Sequence, residues 1–146
     1  MTRRAVSPTS SGFTIVELLV VATIFFVMIA ALTPFIRMAR ARSDKIQCAN
    51  NLREISLGLH AYAVDHNDVF PAKLSDLYPS YVANERAFDC PASKAAGTSK
   101  EPDYSYAANL RESSDLKEAI VADLDGNHKK SGKNILRING SVGWVR

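Results

Sequence analysis

The chain has 146 residues, 47% hydrophobic and 23% charged, with a formal net charge of +3. That is enough for one domain and one long appended element. Its 18 Lys and Arg residues are scattered among 15 Asp and Glu, so there is no basic face on which to argue nucleic-acid binding. No nucleophile elbow, P-loop or HExxH pattern occurs, and no Ser, His and Asp share a triad-like spacing, so enzymatic activity is not expected.

From Phe13 to Ile36 the only charge is Glu17, and Leu18 to Leu32 reads LLVVATIFFVMIAAL. As a helix, residues 13–36 span roughly 36 Å, enough to cross a bilayer. The rest of the chain is too small to bury a helix that is apolar all round. Three membrane readings remain: a secretory signal peptide, a plain anchor, or a segment cut before the apolar run. A signal peptide would want a small-residue cleavage site after an unbroken apolar stretch. Ala30 and Ala31 could serve, but Glu17 sits badly at the start of such a stretch. A carboxylate inside a bilayer costs about 2.5–3.5 kcal/mol on insertion scales and usually marks function. Arg37, Arg40, Arg42 and Lys45 offset Arg3 and Arg4, so the charge bias does not by itself place the N-terminus in the cytoplasm.

Met1 to Gly12 is a short polar leader with two arginines, ending in Gly12-Phe13-Thr14-Ile15-Val16-Glu17. This resembles the processing segment of type IV pilins and type II secretion pseudopilins. The resemblance covers about the first third of the chain. It implies that a prepilin peptidase cuts between Gly12 and Phe13 and methylates the new Phe13 amine, and that Pro34 bends or loosens the helix. It also implies that Glu17 meets the ammonium of a neighbouring subunit during assembly. The N-terminus would then be cytoplasmic, with a single pass through the inner membrane and a periplasmic head. The expected partners are the membrane, the prepilin peptidase, an inner-membrane assembly platform and other pilin-like subunits in a homopolymer.

Beyond the apolar run, Cys48, Leu52, Ile55, Leu59, Tyr62 and His66 recur at spacings of four and three, which is one face of a helix. Ala49 and Ala63 widen that stripe. The spacing predicts that the helix continues over residues 37–67 and stops near Asp65 to Asn67, before Asn67, Asp68 and Pro71. Gly58 and Pro34 are weak points within it. The stripe is read as core. His60 lies off it and is expected to be exposed, and His66 suits a helix C-terminus.

Residues 68–146 form the head. Leu74 to Val82 reads as a helical turn and loop, residues 92–103 as an exposed, mobile loop, and Ala119 to Leu124 as a strand. Asn139-Gly140, between Ile135–Ile138 and Ser141–Val145, predicts a hairpin with a type I′ turn. A small antiparallel sheet of about three strands is expected to pack on the helix stripe. The fold class is α+β: a long N-terminal transmembrane helix continuing into a small antiparallel β-sheet head.

The pattern Cys48, Asn51-Leu52, Phe70-Pro71, Cys90-Pro91, Tyr106-Ala107, Asp123 with Asp125-Gly126 and a final hairpin also resembles pilin-like proteins with a major-pseudopilin-type head. Those often carry a His in the final hairpin, where this chain has Ser141. In an oxidising compartment Cys48 and Cys90 could form a disulfide closing about 40 residues; the alternative is two free thiols. Neither has a CxxC partner, which argues against zinc. Asp123, Asp125 and Asn127 alternate like the first oxygen ligands of a calcium loop, and major pseudopilins bind calcium in a C-terminal loop. The glutamate that closes an EF-hand is missing, however, and an Asx-rich turn is the competing reading. No other cofactor is expected.

The sequence thus reads as a leader (1–12), a transmembrane half-helix (13–36), an amphipathic half-helix (37–67) and a head (68–146). The function it implies is that of a structural filament subunit, a type II secretion pseudopilin. Alternatives are a subunit of an adhesion, motility or DNA-uptake pilus, or a signal-anchored periplasmic binding module.

Overall fold

The computed structural model describes residues 12–128 and 131–146. The chain divides into two units, Met1–Met38 and Ala39–Arg146. The helix α1, Ile15–Asp65, contributes residues to both.

In the first unit α1 starts two residues later than the apolar run suggests, because Thr14 caps it. The Thr14 carbonyl accepts the first helical bond, from Leu18 N at 3.2 Å, and its hydroxyl accepts the Glu17 amide at 3.2 Å. A side-chain oxygen just ahead of the first turn satisfies an orphan amide in this way. The helix is continuous through Pro34. Proline has no amide to give the preceding turn, and Thr33 beside it donates its hydroxyl to the Ile29 carbonyl at 2.8 Å. Thr23 does the same to Val20 at 2.7 Å. None of the apolar stretch is buried, and this helix alone, among the described residues, is long and apolar enough to cross a membrane.

In the second unit the stripe becomes core. Cys48, Leu52, Ile55, Leu59 and Ala63 are buried, together with Ser56 and Gly58. Tyr62 packs against this cluster only partly buried, and His66 is exposed. The helix ends where Asn67 and Asp68 both take positive φ, 56° and 70°, and the Asp68 amide returns to the Ala63 carbonyl at 2.9 Å. Asn and Asp tolerate this left-handed geometry better than most residues.

Two short 3-10 turns follow, Leu74–Leu77 and Glu85–Phe88. Four strands complete the head: β1 (Tyr104–Tyr106), β2 (Ala119–Asp123), β3 (Lys133–Arg137) and β4 (Val142–Val145). They form one antiparallel sheet in the order β1-β2-β3-β4, one strand more than expected. The extra one, β1, is only three residues long, too short to show a period. The strand read as Ile135–Ile138 is displaced to Lys133–Arg137.

The hairpin between β3 and β4 is real, but its turn differs from the expected type I′. Of Asn139 and Gly140, only Gly140 has positive φ, 77°. Gly140 N bonds the Arg137 carbonyl, and Arg137 N bonds the Ser141 carbonyl, both at 2.9 Å. This is a three-residue loop closed by a left-handed glycine. The extra residue is Ile138, which the core retains: it is 1% exposed.

β3 runs beside α1. Near one end the Asn134 amide group donates to the Lys45 carbonyl at 3.3 Å; near the other, a Cβ on Gly140 would meet Ser56 Oγ at 3.3 Å. Residues 92–103 are not the loose loop expected. Asp103 is buried, its carboxylate accepts the Cys90 amide at 3.0 Å and the Ser93 hydroxyl at 3.1 Å, and Ser99 donates to Glu85 at 2.9 Å.

Candidate functional site

Two places in the chain carry chemistry. The first is the segment before α1. Gly12, Phe13 and Thr14 lie outside the helix and are exposed, so the Gly12–Phe13 peptide bond stands in open chain one residue ahead of the cap. A Cβ on Gly12 would meet nothing within 4 Å, so the fold itself does not demand glycine there. The leader residues 1–11, with Arg3 and Arg4, lie outside the described residues. Glu17 occupies the third helical position and Phe13 is 83% exposed.

The second place is a buried polar cluster in the head. Cys48 and Cys90 are joined as a disulfide with Cα atoms 5.4 Å apart. Asn51 lies one turn on from Cys48, beside this pairing. Its amide group donates to the Asp89 carbonyl at 2.6 Å and approaches the Tyr104 hydroxyl at 3.3 Å, holding the stretch before Cys90 against the helix. Tyr104 OH donates to the same carbonyl at 3.2 Å, and burial raises its pKa, which keeps it a donor.

Asp123 is the last residue of β2 and pairs across to Tyr104 of β1. It is 1% exposed. Its Oδ2 accepts the Asn134 backbone amide at 2.7 Å and side-chain amide at 2.9 Å, and His128 Nε2 lies 3.1 Å away. Its Oδ1 is buried with no hydrogen-bond partner among the described residues. Burial raises the Asp123 pKa, opposed by the Asn134 bonds and the nearby His128. His128 Nε2 also lies 3.6 Å from Cys90 Sγ. The ring meets Trp144 edge-on at 5.4 Å between centroids, and Lys45 Nζ sits 3.6 Å above the Trp144 ring.

The three residues proposed as calcium ligands are turned to different partners. Asp123 faces Asn134 and His128. Asp125 is exposed and pairs with Lys133 at 3.0 Å, and Asn127 donates to the Asp103 carbonyl at 3.0 Å. Their alternation in sequence does not become a shared centre. His60 is half-buried rather than exposed and pairs with Glu112 at 2.9 Å. His66 stacks on Tyr62 at 3.7 Å and reaches the Tyr62 carbonyl at 2.8 Å, as suits a helix end. His128 is not marked as a site residue by the sequence. Its only signal was its place just after the Asp-rich stretch, with no spacing that ties it to either cysteine.

Among known families, the prokaryotic N-terminal methylation motif matches residues 8–33. No curated protein and no solved structure matches the chain. With that motif running into a long apolar helix, followed by a small antiparallel sheet, the chain is similar in layout to type IV pilin-like proteins, and its N-terminal segment is of the kind prepilin peptidases process.

Proposed function

We propose that the protein is a structural subunit of a pilin-like filament, and specifically a type II secretion pseudopilin, with its head in the periplasm. The observation that carries the filament reading is the methylation motif at residues 8–33, set on an open Gly12–Phe13 bond and a capped helix with Glu17 in its first turn. Cleavage leaves Phe13 as an N-terminal ammonium. In its own subunit Glu17 already sits where helix amides point. In a bundle of apolar helices, a neighbour's Phe13 ammonium offers the desolvated carboxylate a charge-assisted partner and fixes axial register. The mechanism is mechanical: helices bundle, Glu17 sets the stagger, and heads form the outer surface.

The decisive experiment is mass spectrometry of the mature protein from cells with an active prepilin peptidase. A chain beginning at methylated Phe13 is expected; an intact leader or a cut near Ala31 overturns the reading. Glu17→Ala should leave membrane insertion intact and abolish filaments, and normal filaments from that variant would refute the register role. A reporter fused after Arg146 should be active only outside the cytoplasm. Loss of protein secretion in a deletion strain, with surface pili unaffected, would distinguish the pseudopilin from a pilus subunit.

A further inference from the structure

Cys48, Cys90 and the nearby pair Asp123 and His128 come from three separate parts of the chain, yet one donor atom of each lies within 4.8 Å of every other. The His128 side chain is only 5% exposed, and the other three residues are buried. Two sulfurs, an imidazole nitrogen and a carboxylate oxygen are a donor set suited to zinc. Asp123 Oδ1 is a buried acceptor with no partner among the described residues, while both Asn134 bonds fall on Oδ2. A buried polar atom left unpaired is costly, and this one belongs to a carboxylate that Asn134 holds rigidly in place. Such outer bonds orient a metal-binding carboxylate.

We propose that the reduced head binds one zinc ion through Cys48 Sγ, Cys90 Sγ, Asp123 Oδ1 and His128 Nε2, and that the disulfide is the metal-free alternative of the same site. Zinc bonds of about 2.0–2.3 Å place tetrahedral donors roughly 3.3–3.8 Å apart, so the sulfurs must separate and the widest donors close in by about 1 Å. A dithiol reductant supplies the electrons. The Cys48–Cys90 bond breaks, two thiols form, and the reductant closes to its own disulfide. Zinc then displaces the two thiol protons to solvent, and His128 carries its ring proton on Nδ1 so that the Nε2 lone pair faces the metal. Oxidation by a small-molecule disulfide reverses both steps and releases the ion. The absence of CxxC spacing is no obstacle, because the fold rather than local sequence supplies the proximity. The site is independent of the filament reading.

The test uses the full chain in detergent, reduced with excess dithiol, then desalted without oxygen and titrated with cobalt(II) and then zinc(II) ions. One equivalent of cobalt should produce the visible bands of a tetrahedral thiolate site, and one equivalent of zinc should bleach them. Native mass spectrometry should show one zinc bound to the reduced chain and none to the oxidised chain. Zinc should protect both Cys48 and Cys90 of the unmodified protein from alkylation, a readout that needs no variant. His128→Ala should abolish the cobalt bands, Asn134→Ala should weaken binding about 10- to 100-fold, and Asp125→Asn should change nothing. Equal binding by the oxidised chain, no protection of the thiols, or cobalt bands that survive both His128→Ala and Asp123→Asn would overturn the proposal.

Discussion

Asp123 shows how far a single residue's role departs from its sequence neighbourhood. In the sequence it opens an acidic stretch; in the structure it turns away from Asp125 and Asn127 and into the head. Its folded pKa is raised, first by desolvation. A raised carboxyl binds its proton more tightly folded than unfolded, so its contribution to stability is present below the unfolded value and lost as pH rises through the folded value. For the oxidised protein, stability measured by chemical unfolding should therefore fall from about pH 4 upward, and Asp123→Asn should reduce that fall. A variant with an unchanged pH profile would contradict this account. Asn51 acts at the same scale through hydrogen bonds. Asn51→Ala leaves the Asp89 carbonyl with one partner fewer beside the disulfide, and should destabilise the head by about 1–3 kcal/mol in urea unfolding. Calorimetric stability equal to wild type would show that the bond is incidental.

The elements were legible to the extent that their signals are periodic. The helix stripe and its end near Asp65 follow from spacings of four and three and from Asn67 and Asp68, whose side chains tolerate the left-handed turn. The strand β2 follows from its own apolar run, and the existence of the hairpin from β-formers around Asn-Gly. Gly58 was legible only as a weakness. A Cβ there would meet Val82 Cγ2 at 2.5 Å and the Tyr81 carbonyl at 3.3 Å, so the glycine is where the helix lets the chain after the first 3-10 turn come close. Gly58→Ala gains up to about 1 kcal/mol of helix propensity against an overpacking cost of about 1–3 kcal/mol. The expected outcome is a net loss in stability, read from the urea midpoint at unchanged m-value. A stabilised variant would mean that the Val82 side chain yields freely. The turn departs from type I′ for a related reason. Turn chemistry at Asn139-Gly140 competes with burial of Ile138, and the buried isoleucine decides the register.

At the scale of the whole molecule, the disulfide ties α1 to the head across a separation of 42 residues. Closing a loop of that size is worth roughly 2–4 kcal/mol, chiefly by restricting the unfolded chain. Reduction in the presence of a chelator, which keeps metal out of the comparison, should lower the unfolding free energy by that amount. An unchanged urea midpoint would mean that the bond adds nothing to the folded state. What the sequence determined by itself is the set of features carried by contiguous residues: the N-terminal methylation motif, the long apolar helix with its lone Glu17, and the amphipathic continuation. These depend on local chemistry and helical period, and they carry the chain's similarity to pilin-like proteins. Only the tertiary structure decided that positions 48, 90, 123 and 128 share one buried pocket of donors, and that Asp125 and Asn127 do not. Donor convergence depends on how β2 and β3 lie against α1, and no one-dimensional spacing records that distance.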